Sequence, residues 1–290
     1  MTGTEERVTF LSDGLKLAGI VRTPDSTRPS SLPAVLLLHG FGSNKDAAWL
    51  GITADLLARW GYASLRLDFR GCGESEGPHA RVICLEQVED TKNALTYMAS
   101  RKDIDPARIG VFGHSFGAAV AVYAGGVDSR FAMVISSGGW GDGVKKFRKQ
   151  HESPEAWKKF SEMLERGRRI RAETGEQIMV PRFDIVPIPP HLRGNLSKGS
   201  HLEFPFDVVD SMFDFRANEV VGKIAPRPLL LLHPANDSVT PTEQSIDFFA
   251  HAGQPTDLHL FAEVDHFLLS EGNPVVINLV KSWLDKYFPA

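Results

Sequence analysis

At 290 residues the chain is long enough for one large α/β domain, or one such domain carrying an insertion. Hydrophobic residues at 42%, charged residues at 23% and a net charge of −4 describe an ordinary soluble globular protein and argue against a general nucleic-acid binder. Two cysteines, Cys72 and Cys84, exclude a disulfide framework and stand in no metal-type spacing, and no apolar run approaches the length of a membrane span.

In chain order, Arg7 to Leu11 and Leu15 to Val21 alternate across Ser12-Asp13-Gly14, the pattern of an antiparallel hairpin at one sheet edge. The polar start, Met1 to Arg7, has no secretory apolar region, so with so few cysteines the expected location is cytoplasmic. A Pro/Ser-rich connection from Thr23 to Pro33 leads to Ala34-Val35-Leu36-Leu37-Leu38, apolar at every position as a strand buried on both faces requires. It ends in His39-Gly40-Phe41-Gly42, and Lys45 to Trp60 reads as helical. The next strand, Ala63 to Asp68, runs into Phe69-Arg70-Gly71-Cys72-Gly73-Glu74-Ser75, and Leu85 to Ser100 carries apolar residues at helical spacing.

Ile109 to Phe112 is a short buried strand, followed by Gly113-His114-Ser115-Phe116-Gly117 and a small-residue helix. A serine on so tight a strand-to-helix turn takes a strained backbone, and glycines two residues away on each side avoid the clash. The turn lifts the hydroxyl out of the sheet edge and leaves the Phe116 amide at a helix N-terminus, free to donate to an anion. After the strand Ala132 to Ser136 the strand–helix alternation breaks. Lys145 to Ala172 is charged and helix-compatible, and Val180 to Pro205 is proline-rich. Residues 140–215 therefore read as a cap inserted over the sheet, dividing a core of 1–139 and 216–290. Alternation resumes with the strand Pro228 to His233, a helix near Thr242 to Ala252, the strand Asp257 to Phe261 and a helix from Pro274 to Tyr287. Repeated strand–helix units predict a mostly parallel sheet with helices on both faces.

Ligands of such sheets bind beyond the carboxyl ends of the strands, so the polar residues that follow strands are the site candidates. Ser115, Asp237 and His266 each follow a different predicted strand, in the order Ser…Asp…His. A serine hydroxyl needs a base to take its proton, a histidine has the pKa for it, and a carboxylate fixes the tautomer and steadies the cation. Asp265 ranks below Asp237, because a side chain adjacent in sequence rarely reaches back to the ring. Asp210 and Asp214 read as structural, Arg70 as a loop-ordering residue, His39 as a brace of its loop, and His114 as packed. His191, His201 and His233 have no partner pattern and read as surface or packing residues, and both cysteines as small packing residues.

With these residues on view, the chain resembles the α/β-hydrolases, and within them capped esterases and related serine hydrolases. The resemblance rests on His39-Gly40-Phe41-Gly42, Asp68 to Ser75, Gly113 to Gly117, Asn236-Asp237 to Pro241 and Asp265-His266-Phe267, and covers nearly all of the chain except the cap. It implies an eight-stranded, mostly parallel sheet, an acyl-enzyme mechanism, and oxyanion-hole amides from Phe41 and Phe116. Phe41 stands where the His-Gly-Gly-Gly form of many lipases has glycine, which argues against esters of bulky tertiary alcohols.

A serine nucleophile argues against dehalogenase and epoxide-hydrolase chemistry, which use aspartate. The expected function is hydrolysis of a small-molecule carboxylic ester. C–C, peptide, amide or thioester cleavage and acyl transfer stand as alternatives on the same residues, since fold and triad do not fix the leaving group. A binding module without catalysis would have no need of all three positions. No metal or cofactor is expected, and the oligomeric state is open, a homodimer included. Trp140, Phe183, Phe204, Phe206 and Phe213 are the candidate lining of a substrate pocket, and Arg166, Arg168, Arg169 and Arg171 read as a solvated helix face.

Overall fold

The computed structural model describes residues 3–25, 31–269 and 273–290. Strands β1 (Thr4–Ser12) and β2 (Leu15–Thr23) form the expected hairpin at the sheet edge. Its turn residues Asp13 and Gly14 both have positive φ, 49° and 84°, which matches the right-handed twist of the flanking strands. Residues 26–30 of the Pro/Ser-rich connection that follows lie outside the described residues. Then come β3 (Leu32–Leu38), α1 (Ala48–Arg59), β4 (Ala63–Leu67), α2 (Cys84–Ala99), β5 (Ile104–His114), α3 (Phe116–Val127) and β6 (Phe131–Ser137). Two boundaries differ from expectation. Helix α1 begins at Ala48 rather than Lys45, because the Lys45 amide donates to Asp68 Oδ1 at 2.6 Å instead of entering a helix. Strand β5 begins at Ile104, paired with Leu32 before an irregularity in the ladder.

From there to Leu229 no element joins the main sheet. The helix-compatible stretch Lys145 to Ala172 forms two helices, α4 (Gly143–Gln150) and α5 (Pro154–Thr174). The break has a local cause: the Ser153 hydroxyl accepts from the Ala156 amide, and Pro154 takes the first helical position, where its missing N–H costs nothing. The segment continues through β7 (Met179–Pro181), α6 (Arg182–Ile185), β8 (Glu203–Pro205) and α7 (Phe206–Asp214), with β7 and β8 paired antiparallel in a ladder of their own. The main sheet resumes with β9 (Leu229–Pro234), followed by α8 (Glu243–His251), β10 (Thr256–Phe261) and α9 (Pro274–Tyr287).

The eight strands order as β1-β2-β4-β3-β5-β6-β9-β10, parallel from β4 onward, so the fold is the α/β-hydrolase fold with a mostly parallel sheet flanked by helices. β9 is buried along its whole length and β3 nearly so, which is why both read as unbroken apolar runs. One face packs on α1 and α9 through Leu57, Val280 and Trp283. The other packs on α2 and α3, and its core continues without a break into Phe160, Leu164 and Phe206 of the inserted segment. That segment is thus cored against the sheet layer rather than around a centre of its own. No helix among the described residues is long and apolar enough to cross a membrane.

Candidate active site

Strand β5 ends at His114 and α3 begins at Phe116, so Ser115 alone makes the turn, with φ 57° and ψ −117°. Its amide donates to Ser137 O of β6 at 2.8 Å, which fixes the strained residue to the neighbouring strand. The flanking glycines are there for close approach. A Cβ on Gly113 would lie 2.0 Å from Gly117 O, and one on Gly117 would lie 2.3 Å from Leu38 O.

Three side chains from three loops converge here. Ser115 Oγ lies 2.9 Å from His266 Nε2, and His266 Nδ1 lies 2.8 Å from Asp237 Oδ2. A carboxylate only accepts, so Nδ1 carries the hydrogen and Nε2 turns its lone pair to the serine hydroxyl. Asp237 Oδ1 accepts from the Val239 and Thr240 amides at 2.7 and 2.8 Å, which orients the carboxylate. Burial alone would push the Asp237 carboxyl upward. The charge of His266 and hydrogen bonds from His233 and His266 outweigh it and hold the group far below the usual carboxylate range. Asp265 is turned elsewhere: its oxygens accept from the Ser238 amide, the Ser238 hydroxyl and the His266 amide, tying the two loops together.

His233 is buried behind Asp237, not on the surface, and packing is only part of its place. Its Nε2 lies 3.3 Å from Asp237 Oδ2 and 3.0 Å from Thr240 O, both acceptors, so Nε2 donates and Nδ1 accepts from the Ser245 hydroxyl at 2.6 Å. The one sequence signal for it was its position, at the strand end four residues before Asp237. His114 packs between Trp49 and His266, with ring centroids at 5.5 and 4.8 Å, and reaches the cleft wall.

The loop after β3 runs against the serine, since a Cβ on Gly40 would stand 3.7 Å from Ser115 Cβ. Phe116 is the first residue of α3, where the amide has no intrahelical acceptor. Phe41 is braced from behind. His39 Nδ1 donates to Gly40 O at 2.8 Å, and its Nε2 accepts from the Phe69 amide at 3.3 Å. The Phe204 ring stacks on Phe41 at 4.1 Å, and Arg182 donates to Phe41 O at 2.6 Å and to His201 O at 2.9 Å. His201 closes the clamp, its amide on Gly42 O and its ring on Gly71 O, so it too is a buried bridge rather than a surface residue. Farther back, the Lys45 ammonium bonds Asp68 and Glu74, and Arg70 bonds Asp90 and Asp13, which order the loop from Phe69 to Ser75.

The model of the alpha/beta hydrolase family matches residues 35–278. The chain belongs to this family. Across 93% of its length it is similar to the thiohydrolase aneE of Aspergillus aculeatus, at 26% identity and over 89% of that protein. It is 25% identical to the polyketide transferase claH of Penicillium crustosum, over 92% of each chain. The crystal structure of the alpha/beta hydrolase GrgF from Penicillium sp. sh18 superposes over 99% of both chains with a TM-score of 0.80 at 22% identity, a likeness of fold.

The cleft of this hydrolase corrects most of the expected aromatic lining. Trp140 does line it, beside Phe116. Phe204 is buried behind Phe41, and Phe206 fills the space left by Gly167 of α5. Phe213 packs toward Phe147 and Phe160, and Phe183 lies under the Arg193 guanidinium. An inserted segment that adds no strand to the main sheet must bury its apolar faces by other contacts, and these rings serve that need. The wall is made instead by Trp49, Val186, Ile188, Leu196 and Met212, with Lys146 and Arg182 as its charged members. Of the arginines on α5, Arg168 and Arg171 pair with Asp210, and Arg168 also with Asp214, so those aspartates are structural ion-pair partners. Burial pushes the Cys84 thiol up to about 12 and Cys72 higher still, leaving neither reactive.

Burial lowers His39 to about 4 and His114 well below its usual value, so both are neutral in the folded protein at neutral pH. The unfolded chain binds these protons near pH 6.5 and the folded chain does not. Stability is therefore full above pH 6.5 and falls as the pH drops toward 4, by about 1.4 kcal/mol per pH unit for each such histidine. Urea midpoints measured from pH 7.5 to 4.5 should decline in that window. A flat profile down to pH 5 would contradict the neutral, buried assignment.

Proposed function

We propose that the chain is a serine hydrolase that opens an ester or thioester of a small organic acid through an acyl-enzyme on Ser115. The observation that carries this reading is the line from Asp237 through His266 to the hydroxyl of Ser115, with both contacts under 3 Å on a strained elbow. In the first half-reaction His266 Nε2 takes the hydroxyl proton as Ser115 Oγ attacks the carbonyl carbon. The oxyanion accepts from the amides of Phe41 and Phe116. Collapse expels the alcohol or thiol, which leaves with the proton from His266, and the acid remains on Ser115. In the second half-reaction His266 deprotonates water, which attacks the ester and restores the serine. Asp237 stays ionised throughout and steadies the imidazolium.

The names of relatives favour one second reading, in which an alcohol replaces water as acceptor, because a polyketide transferase is similar over nearly the whole chain. The two are separated by partitioning. With a 4-nitrophenyl ester and rising methanol or a larger alcohol, a hydrolase shows free acid as the main product at low alcohol. A transferase diverts most of the acyl group to one preferred alcohol at millimolar concentration. Release of 4-nitrophenol that never exceeds the uncatalysed rate, with any acyl chain, would overturn both.

A further inference from the structure

Two cations are built into the wall of the cleft that holds Ser115 and His266, and neither has a carboxylate partner among the described residues. Lys146 of α4 is 2% exposed, and its Nζ makes no hydrogen bond among the described residues. Its nearest company is aromatic, the Phe147 ring at 3.8 Å and the Trp140 ring at 5.0 Å. Arg182 is 3% exposed, its terminal nitrogens bonded to the Phe41 and His201 carbonyls, its Nε unpartnered. Among the described residues no Asp or Glu lines the cleft. The neighbouring Cys84 thiol is neutral and offers Lys146 no counter-charge. Removing an ammonium from water is strongly unfavourable, and the two aromatic rings offset only part of that cost. Burial brings Lys146 down to about 7, so much of it is still charged at neutral pH, and a guanidinium stays charged throughout.

We propose that the substrate carries an anionic oxygen, a carboxylate in the first instance, in addition to its scissile carbonyl, and that the Lys146 ammonium pairs with it. The Arg182 guanidinium, already committed to two carbonyls, adds positive potential without a second fixed contact. An anion drawn into a cleft with apolar walls, and with no acidic residue among the described lining, is desolvated as it pairs, which makes the contact selective against neutral esters. The inference deepens the acyl-enzyme reading above and rests on it.

Its test uses two pairs of esters, because the anion could belong to the acid half or to the leaving half. Glutaric acid mono-4-nitrophenyl ester is compared with the near-isosteric neutral 4-nitrophenyl 5-methylhexanoate, and 4-carboxyphenyl acetate with 4-isopropylphenyl acetate. The wild-type protein should prefer the anionic member of one pair by at least about tenfold in kcat/KM, chiefly through KM. In Lys146→Met, an unbranched apolar replacement of similar length, that ratio should collapse toward one. A merely structural lysine would lower both members alike. The binding arm needs no turnover: glutarate should raise the melting temperature of the wild-type protein, and 5-methylhexanoate at equal concentration should not. If Lys146→Met fails to fold, this arm and the wild-type ratios decide. Equal or better turnover of the neutral member in both pairs, or a ratio unchanged in the variant, would overturn the proposal. If instead no ester is turned over while glutarate still stabilises the protein, the acyl-enzyme reading fails and the anion site stands.

Discussion

His266→Ala is expected to lower kcat on an activated ester by roughly ten-thousand- to million-fold, with KM changed little. The ring is the only group within hydrogen-bond distance of the Ser115 hydroxyl among the described side chains, at 2.9 Å, so no neighbour can take over its proton. His114 is a neighbouring imidazole, with its ring 4.8 Å from that of His266, but burial keeps it neutral and weakly basic. A loss of less than a hundredfold, measured as initial rates against enzyme concentration, would mean that another base serves the serine. The fold should survive, since the ring packs at a loop end and not inside the sheet, and a melting curve checks this.

Asp237→Asn should cost on the order of ten-thousand-fold in kcat, through the tautomer rather than through loss of the base. The two loop amides that Asp237 Oδ1 accepts from will hold the amide oxygen of asparagine in the same place. Its NH2 group then faces His266 Nδ1 and His233 Nε2. Because His233 Nε2 is already a donor, two donors meet there, and His266 must move its hydrogen to Nε2 to accept at Nδ1. The serine then faces an N–H and has no base. Stability should fall by about 1–3 kcal/mol from the unpaired donors. The check is the ring-nitrogen chemical shifts of His266 by NMR: the hydrogen should sit on Nδ1 in the native protein and on Nε2 in the variant. An unaltered tautomer, or a rate within tenfold of native, would contradict this.

The strands of the main sheet and the three converging residues were legible because each signal is local. A strand buried on both faces must be apolar throughout, as Leu36 and Leu231 show, and a residue that follows such a strand must arrive at the same sheet edge as its fellows. The crowding that demands Gly113 and Gly117 is equally local. What sequence could not show was decided by the inserted segment. Lys146 stands among Lys145, Arg148 and Lys149, all of them exposed, and only the packing of α4 against Trp140 and the cleft turns one of the four inward. The same holds for Arg182, whose neighbours Pro181 and Phe183 give no hint that it clamps Phe41. The aromatic residues misled for a related reason. In an irregular, proline-rich segment, composition calls equally for a core and for a lining, and Phe204 and Phe206 went to the core.

The central claim is that Ser115 becomes acylated, and the most direct measurement is intact and peptide mass spectrometry after treatment with a fluorophosphonate. The native protein should gain one adduct, on the peptide that contains Ser115, and Ser115→Ala should gain none while keeping its melting temperature. An adduct of the same stoichiometry on Ser115→Ala, or one mapped to any other residue of the native protein, would contradict it.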